Sequence, residues 1–416
     1  MRALSNIYIH AYDGICALGT GRAAIQQKLF EAQQAPTDGV QSSAFSPNAP
    51  MFLGLAAPEC TSLESLPTHT PKQFKSRNNA LLYHAFLQLE SEWQRLSQGI
   101  ARHRIAVILG SSNSGIAQGE AALLSQEHHQ HLPAEYCYAQ QEYGSPAQFL
   151  AWLLGVNGPA YTISTACSSG AKALISGARL LQHNVCDLAI VGGADVVSQL
   201  TAQGFLSLEA VDGGRCQPFA QTRKGIHLGE GAALLVLSRE PAPIQLSGWG
   251  ESSDAYHIAA PQPDGVGAEL CMRHALGHAQ LDAQQIDYLN LHGTATRQND
   301  AMEAQAVARV LSDQVKVSST KSLTGHTLGA AGAIEALFCC MTLQYASEMK
   351  QAESSGLSGL SDLSVPPHWV EGAIDTELPL LNFALPDQCA VPQLRHVMSN
   401  SFGFGGSNAS LIFSKV

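Results

Sequence analysis

Continuous apolar, β-branched runs recur along the chain and alternate with long stretches rich in small residues. The runs are RIAVILG (104–110), DLAIVGGAD (187–195), AALLVLS (232–238), IDYLNLHG (286–293) and NASLIF (408–413). Such runs are typical of strands that are buried on both faces, and residues 168–182 and 329–345 have the length and composition of helices. The pattern predicts an α/β protein.

Two segments share one plan, in which a strand leads through a polar turn with a reactive side chain into an Ala-rich helix. The first, YTISTACSSGAKALISGARLLQ (161–182), carries Cys167 in its turn. The second, VKVSSTKSLTGHTLGAAGAIEALFCCMTL (315–343), carries His326 near the matching position. This similarity indicates an internal duplication.

Two Gly-rich turns that lead into strands form a second matching pair. They are GIHLGEGAALLVL (225–237) and FGFGGSNASLIF (402–413). We therefore predict two copies of one α/β unit, an N-terminal half at 1–245 and a C-terminal half at 246–416.

Composition and charge narrow the class of protein. The 416 residues are 45% hydrophobic and 14% charged, and the net charge of −11 argues against a general role with nucleic acid. The N-terminal residues lack the sustained apolar core of a secretory signal, and no uninterrupted run of 18 apolar residues predicts a membrane span. Ten cysteines at irregular spacings are typical of free thiols, so we expect a cytoplasmic protein.

Two polar stretches, 126–136 and 350–369, interrupt the pattern and are predicted to be surface loops. The first contains His128, His129 and His131, which are potential metal ligands. No fourth ligand is evident near them, so we interpret them as part of a solvated loop and predict no metal.

Cys167 lies among small residues in STACSSGAKALISG (164–177), at the start of a predicted helix. The free N–H groups and dipole of a helix N-terminus favour a thiolate, which predicts a lowered pKa and a nucleophile open to an incoming thioester. Taken alone, a buried structural cysteine explains the same residue.

His292 opens the motif HGTATRQNDAMEA (292–304) at the carboxyl end of a predicted buried strand, where α/β proteins place ligand groups. The hydroxyls of Thr294 and Thr296 alternate along the following turn and are suited to bind a polar linker. By itself, His292 is equally well explained as a core histidine.

A third motif, STKSLTGHTLGAAGAIEAL (319–337), contains Lys321 and His326 before a helix that carries Glu335. A buried lysine needs a carboxylate partner, and Glu335 is the nearest candidate. A fourth motif, SNSFGFGGSN (399–408), is a Gly-rich turn without the strand and helix order of a dinucleotide site.

These motifs, in this order, resemble those of the β-ketoacyl-[acyl-carrier-protein] synthases, the elongating condensing enzymes of type II fatty acid and polyketide synthesis. The resemblance covers essentially the whole chain. It implies a thiolase fold, in which duplicated halves form a five-layered α-β-α-β-α sandwich.

The resemblance also implies a reaction. Cys167 would take an acyl chain from its carrier, and His292 and His326 would stabilise the enolate that forms when carrier-bound malonyl loses CO2. The enolate would attack the acyl group, giving 3-oxoacyl carrier. The backbone N–H groups of Cys167 and Phe404 would form the oxyanion hole.

Further roles follow from the resemblance. Lys321 and Glu335 would set the orientation and charge around His326, and Thr294 and Thr296 would hold the phosphopantetheine arm of the carrier. No other cofactor is implied.

The implied partners are the acyl- and malonyl-loaded acyl carrier protein and a second subunit, either another copy of this chain or a chain-length factor. Within HTPKQFKSRNN (69–79), the basic side chains of Lys72, Lys75 and Arg77 are candidates for docking the acidic carrier. A solvated helix terminus explains the same three residues.

Two positions depart from the family pattern. Ile226 stands where elongating synthases usually have Phe, and Glu209 stands where they often have Arg. The departures suggest a specialised substrate or partner, which leaves housekeeping fatty acid synthesis and a polyene or pigment pathway open.

Three other members of the superfamily fit the motifs less well. A non-catalytic chain-length factor loses the cysteine that is present here as Cys167. A thiolase needs a second reactive cysteine where this chain has FGFGGSN. A starter-type synthase has Asn in place of the second histidine, which is His326 here.

Overall fold

The computed structural model describes residues 6–30, 39–46, 50–354 and 365–416, without the side chains of 350–354. Its α-helices are α1 (Arg22–Phe30), α2 (Arg77–Leu87), α3 (Glu90–Ser97), α4 (Ile116–His129), α5 (Ser145–Leu154), α6 (Ser169–Gln182), α7 (Gln199–Ser207), α8 (Val266–Ala279), α9 (Arg297–Val310), α10 (Lys321–Thr324) and α11 (Ala331–Ser354). Its strands are β1 (Ile7–Cys16), β2 (Gly19–Thr20), β3 (Val40–Ser42), β4 (Met51–Gly54), β5 (Ile105–Gly110), β6 (Ala160–Ile163), β7 (Leu188–Asp195), β8 (Leu228–Gly229), β9 (Gly231–Ser238), β10 (Ile244–Ser253), β11 (Tyr288–Asn290), β12 (Lys316–Ser318), β13 (Asn382–Phe383), β14 (His396–Gly403) and β15 (Ser407–Lys415).

The two halves of the large sheet repeat one arrangement of strands when counted outward from the centre. Its strand order is β13-β12-β11-β14-β15-β10-β1-β9-β7-β5-β6, with β2 paired to β1. On one side β9 runs antiparallel between β1 and β7, and on the other β15 runs antiparallel between β10 and β14. The halves meet where β1 pairs with β10 over three residues, from Ile7 opposite Leu246 to Ile9 opposite Ile244. A small second sheet has the order β3-β4-β8.

Helices α6 and α11 lie between the two halves of the sheet. Helix α6 packs on β5 and β7, and α11 contacts both β9 and β14. On the outer faces, α2 and α5 cover the first half, and α8, with α9 packed beside it, covers the second. The order of layers is therefore helix, sheet, helix, sheet, helix.

Small residues allow the two central helices to approach closely. A Cβ at Gly170 of α6 would lie 2.6 Å from the backbone N of Ala333, and one at Gly332 of α11 would lie 2.8 Å from the N of Ala171. Neither distance leaves room for a side chain, which explains the Ala- and Gly-rich composition of both helices.

The apolar pattern predicted the strands well. Each of the five runs overlaps a strand, although the run 286–293 forms only the three-residue β11 before the chain turns. Both predicted helices are present as α6 and α11. The boundary at 245/246 between the two predicted units stays a prediction.

Helix α11 belongs to the core. The segment Leu328–Met349 is long and apolar enough to cross a bilayer, judged by length and composition alone, but 89% of its most apolar window is buried inside the protein. Its composition follows from its position between the two halves of the sheet.

The two predicted surface loops are only partly loops. Helix α4 extends through 126–129, and α11 extends to Ser354, while 355–364 lies outside the described residues. At the end of the second stretch, Val365 and His368 are fully buried, and the His368 Nδ1 accepts a hydrogen bond of 3.0 Å from the N–H of Ser319. Local polarity did not reveal this packing because it depends on a distant strand end.

The histidines of the first stretch lie on the surface. The ring centroids of His129 and His131 are 6.3 Å apart, and both side chains are exposed. Among the described residues, no group of three or more His, Cys, Asp or Glu side chains is arranged to hold a metal ion.

Candidate active site

The turn between β6 and α6 positions Cys167 immediately before the first turn of the helix. Ala166 has a left-handed backbone with φ 50°, which reverses the chain. The Ser169 Oγ accepts a 2.8 Å hydrogen bond from the N–H of Thr165, and the Ser168 Oγ donates one of 2.9 Å to the Thr165 carbonyl. These short polar side chains hold the turn.

The Cys167 thiol is buried, with 5% of the residue exposed. Burial raises its pKa to about 11, while the positive charge of Lys321 and the backbone N–H groups of Phe404 and Cys167 oppose the rise. This outcome differs from the lowered pKa expected at a helix N-terminus. Desolvation of the thiolate outweighs the favourable amides because the central helices and the Gly-rich loop enclose the sulfur.

His326 contacts the thiol directly, with its Nε2 2.9 Å from the Cys167 Sγ. Its N–H donates a 2.7 Å hydrogen bond to the carbonyl of His227, which fixes the loop before α11. Burial and the nearby charge of Lys321 lower the pKa of His326 well below 6.5, so the imidazole is neutral. A neutral imidazole at this distance is a suitable acceptor for the thiol proton.

His292 follows β11, and a buried carboxylate holds its backbone. The N–H groups of His292 and Gly293 donate hydrogen bonds of 2.8 and 2.7 Å to the two oxygens of Glu303. Burial, with Lys321 and His326, lowers the pKa of His292 well below 6.5. The two imidazole centroids are 5.7 Å apart and nearly perpendicular.

Lys321 and Glu335 form a buried ion pair behind the histidines. The Lys321 Nζ also contacts the His292 carbonyl and lies 3.4 Å from the His292 Nδ1. Because an ammonium group only donates, the His292 Nδ1 accepts and its Nε2 carries the proton. Burial raises the pKa of Glu335, and the charge of Lys321 opposes that rise.

Two carboxylates support the HGTAT turn and were not assigned a role from the sequence. Glu303 holds the start of the turn, as described above. Asp300 accepts hydrogen bonds from the N–H of Ala295 at 3.2 Å and of Phe219 at 2.8 Å. Their spacing in NDAMEA was the available signal, because positions three apart on a helix share one face.

Asp195, at the end of β7, joins the two halves of the molecule beside His326. Its carboxylate accepts a 2.6 Å hydrogen bond from the Ser111 hydroxyl and a 2.7 Å bond from the N–H of Gly329. Gly329 lies three residues after His326, so Asp195 helps to fix the loop that carries this imidazole. Nothing local in the sequence indicated this contact.

A cavity of about 500 Å³ opens onto the three reactive groups. Its wall includes Ile226, which is buried, and two aromatic side chains in contact, Phe205 and Phe404, whose ring centroids are 5.4 Å apart and whose planes are tilted by 45°. Glu209 lies at the rim in a left-handed conformation with φ 53°. Both departures from the family pattern therefore face the cavity.

Thr294 and Thr296 line the same cavity. Their hydroxyl oxygens are 3.0 Å apart, and the Thr296 Oγ1 accepts a 3.3 Å hydrogen bond from the N–H of Asn299 as the cap of α9. Thr296 thus has a structural partner as well as a place on the cavity wall.

The three basic residues before and at the start of α2 differ in their surroundings. Lys72 and Lys75 are exposed. The Arg77 guanidinium lies 2.9 Å from the buried carboxylate of Glu230 and also donates to the Val197 carbonyl. The charge of Arg77 is therefore compensated within the protein, which makes it a weaker docking candidate than the two lysines.

The fold and the site together are those of the condensing enzymes with a thiolase fold. Comparison with known proteins supports the same class. The family model for the beta-ketoacyl synthase N-terminal domain matches residues 80–242, and the model for the beta-ketoacyl synthase C-terminal domain matches residues 244–352. The chain belongs to the β-ketoacyl synthase family.

Individual relatives agree with this assignment. The 3-oxoacyl-[acyl-carrier-protein] synthase 2 of Coxiella burnetii (strain RSA 493 / Nine Mile phase I) is 34% identical over 283 residues, which are 63% of this chain and 63% of that protein. The match thus spans just under two thirds of the length of that curated relative.

Solved structures match over the whole chain. The ketosynthase ApeO, in complex with its chain length factor ApeC, from Xenorhabdus doucetiae is 39% identical, with 100% of this chain and 99% of that chain covered and a TM-score of 0.88. A beta-ketoacyl synthase from Burkholderia phymatum STM815 is 26% identical, with 99% and 100% covered and a TM-score of 0.83. The expected thiolase fold is confirmed.

Proposed function

We propose that this protein catalyses the decarboxylative condensation of malonyl carrier protein with an acyl chain held on Cys167, giving 3-oxoacyl carrier protein, CO2 and free carrier. The observation that carries the proposal is the convergence of three groups at one cavity. The Cys167 sulfur lies 2.9 Å from the His326 Nε2, and the His292 ring lies 5.7 Å from the His326 ring.

The first half of the reaction is acyl transfer. The thiol proton passes to the His326 Nε2, and the sulfur attacks the thioester carbonyl of the acyl carrier. The N–H groups of Cys167 and Phe404 meet the oxyanion that forms. When the C–S bond to the carrier breaks, the leaving thiolate takes the proton from His326. The low pKa of His326 favours this return.

The second half is decarboxylation and carbon–carbon bond formation. Malonyl carrier loses CO2, and the electron pair of the broken bond forms an enolate. The Nε2–H of His292 donates a hydrogen bond to the enolate oxygen. His326 donates a second one after its ring proton has moved from Nδ1 to Nε2, which is free to donate once the sulfur is acylated. The enolate carbon attacks the acyl carbonyl, the C–S bond to Cys167 breaks, and the released thiolate takes one proton from solvent to restore the thiol.

The surrounding polar groups support these steps. Lys321, which is paired with Glu335, holds His292 through contacts with its ring and carbonyl. Burial, together with the charge of Lys321, keeps both imidazoles neutral. Thr294 and Thr296 would bind the amides of the phosphopantetheine arm. No cofactor beyond that arm is proposed.

We propose that the carrier docks near Lys72 and Lys75 and that the reaction takes place in the cytoplasm. The exposed ammonium groups of the two lysines support this docking site, because carrier proteins are acidic. The compensated charge of Arg77 contributes less to the attraction.

A chain-length factor is the partner subunit that we favour over a second copy of this chain. The 39%-identical ketosynthase was solved with its chain length factor. In this protein the sheet ends at β6, which is half exposed, with Tyr161 37% exposed, and no described strand pairs with its outer edge. An open edge of this kind is suited to pairing with another chain. Light scattering of this chain alone and co-expressed with a chain-length factor tests the choice.

The test of the activity uses acyl and malonyl carrier proteins with the purified chain, alone and with a co-expressed chain-length factor. Intact-mass measurement should show one acyl adduct, mapped to Cys167, and 3-oxoacyl carrier as product. Cys167→Ala should form neither, and Cys137→Ala should behave as the wild type because this half-exposed thiol lies away from the cavity. Condensation by Cys167→Ala would overturn the proposal.

A further inference from the structure

Two cationic side chains border the cavity that holds Cys167. Lys224 and Arg297 both line it and are exposed at its rim. No hydrogen bond or ion pair to either side chain is found within the described part of the chain. The charge of Arg297 contributes to the lowered pKa of Asp375, whose carboxylate is paired with Arg223. Both cations are therefore available to a ligand.

The two chain segments that end in these cations run from the buried end of the cavity to its rim. In the first segment, His292 is 1% exposed and Thr294 is 7% exposed, Thr296 is half-buried, and Arg297 is exposed. In the second segment, Ile226 is buried and Lys224, two residues earlier, is exposed. In both segments, the exposure of the residues therefore increases toward the cation.

This order matches the chemistry of a phosphopantetheine arm. The arm carries a thioester at its inner end, two amides along its length and a phosphodiester at its outer end. The imidazole lies where the thioester reacts, and the two threonine hydroxyls lie where amides need partners. A group with negative charge then reaches the rim, where the two cations lie.

We propose that Lys224 and Arg297 form a subsite for the phosphodiester of the carrier's arm, an inference that rests on the proposed function. An arginine fork matches the oxygens of a phosphate, and a lysine adds a point charge from the second segment. Because both side chains line the cavity, the ligand they meet is the arm that enters it. Glu209 lines the same cavity, and its negative charge would repel the phosphodiester.

The test measures acyl transfer to Cys167 by the full chain from two small donors, octanoyl-phosphopantetheine and octanoyl-pantetheine, which differ only in the phosphate. Intact mass gives the rate of adduct formation, and the readout is the ratio of the two second-order rate constants. Lys224→Ala and Arg297→Ala should each lower this ratio about tenfold, since each removes one charge-assisted hydrogen bond. Lys224→Gln should behave like Lys224→Ala.

A matched control is Arg102→Ala, an exposed cation that precedes β5 and lies at the opposite end of that strand from Gly110, which packs against α6. This variant should keep the wild-type ratio. The effect should shrink in 0.5 M salt, which screens exposed charges.

The outcomes separate the two levels of inference. If Cys167 accepts octanoyl from both donors and the ratio is unchanged in Lys224→Ala and Arg297→Ala, the phosphodiester subsite is wrong and the proposed function stands. A loss that is seen with full acyl carrier protein but not with octanoyl-phosphopantetheine also overturns the subsite, because it places the contact on the carrier body. If the wild type accepts octanoyl from neither donor nor from acyl carrier protein, the proposed function fails and the subsite fails with it.

Discussion

Replacing Lys321 with Met removes a positive charge from the buried side of the cavity and keeps a side chain of similar length. The ammonium opposes the burial that raises the pKa of the Cys167 thiol to about 11, so its removal should raise that pKa further. A double variant, Lys321→Met with Glu335→Gln, is the matched control. It removes the same cation without leaving a buried carboxylate unpaired.

The size of the effect follows from the geometry. The Lys321 Nζ is 3.4 Å from the His292 Nδ1, the imidazole centroids are 5.7 Å apart, and the His326 Nε2 is 2.9 Å from the Cys167 Sγ. Unit charges on the order of 10 Å apart interact by about 1.7 kcal/mol at an effective dielectric constant of about 20. This energy corresponds to about one pKa unit, or a thiolate fraction about tenfold lower.

The assay is alkylation of Cys167 by iodoacetamide between pH 7 and pH 10, followed by peptide mapping. Because the pKa lies near 11, the thiolate is a minor species throughout, and the wild-type rate should rise about tenfold per pH unit without a plateau. Lys321→Met should react about tenfold more slowly at each pH. The double variant should slow less, because it also removes the charge of Glu335, which raises the pKa of Cys167. The half-exposed Cys137 should be unaffected in both. A plateau in the wild-type alkylation rate below pH 9 would refute the reasoning. Equal alkylation rates in the wild type and Lys321→Met would refute it as well.

Other substitutions test separate parts of the site. His292→Ala should still load acyl groups but fail to release CO2 from malonyl carrier, and His326→Ala should slow both steps because it also removes the 2.9 Å contact with the sulfur; normal CO2 release in both variants would contradict this. Phe404→Ala should widen the range of acyl lengths loaded from a panel of carriers, since it removes the 5.4 Å contact with Phe205, and an unchanged range would indicate a rigid turn. Lys75→Glu should raise the KM for acyl carrier at low salt with little change in kcat, and an unchanged KM would place the docking site elsewhere.

The sequence predicted much of this fold because burial on both faces of a strand leaves a local record. The apolar runs coincide with all or part of β5, β7, β9, β11 and β15, and the two small-residue stretches form the central helices. Contacts between distant segments leave no such record. Cys167 and His326 are 159 positions apart, and only the resemblance of their motifs to a known family indicated that they meet.

The pKa of Cys167 shows why a local argument failed at the centre of the site. Cys167 lies just before a helix, as the sequence predicts, and that position alone favours a thiolate. The direction of the shift depends on how much water reaches the sulfur, and α11 and the loop at Phe404 restrict that access. Desolvation therefore decides the resting protonation state, and the neighbouring imidazole becomes the base that the thiol requires.

The same distinction applies to charge. A run of basic residues predicted docking at Arg77, yet its guanidinium faces Glu230. Lys224 and Arg297 come from separate segments, and the fold brings both to the same cavity. In a protein with a net charge of −11, an acidic carrier experiences repulsion at long range. Attraction must then come from cations without an internal partner, close to the place where the arm enters. Which cations meet that condition depends on their neighbours in space. The positions of basic residues along the sequence do not reveal those neighbours.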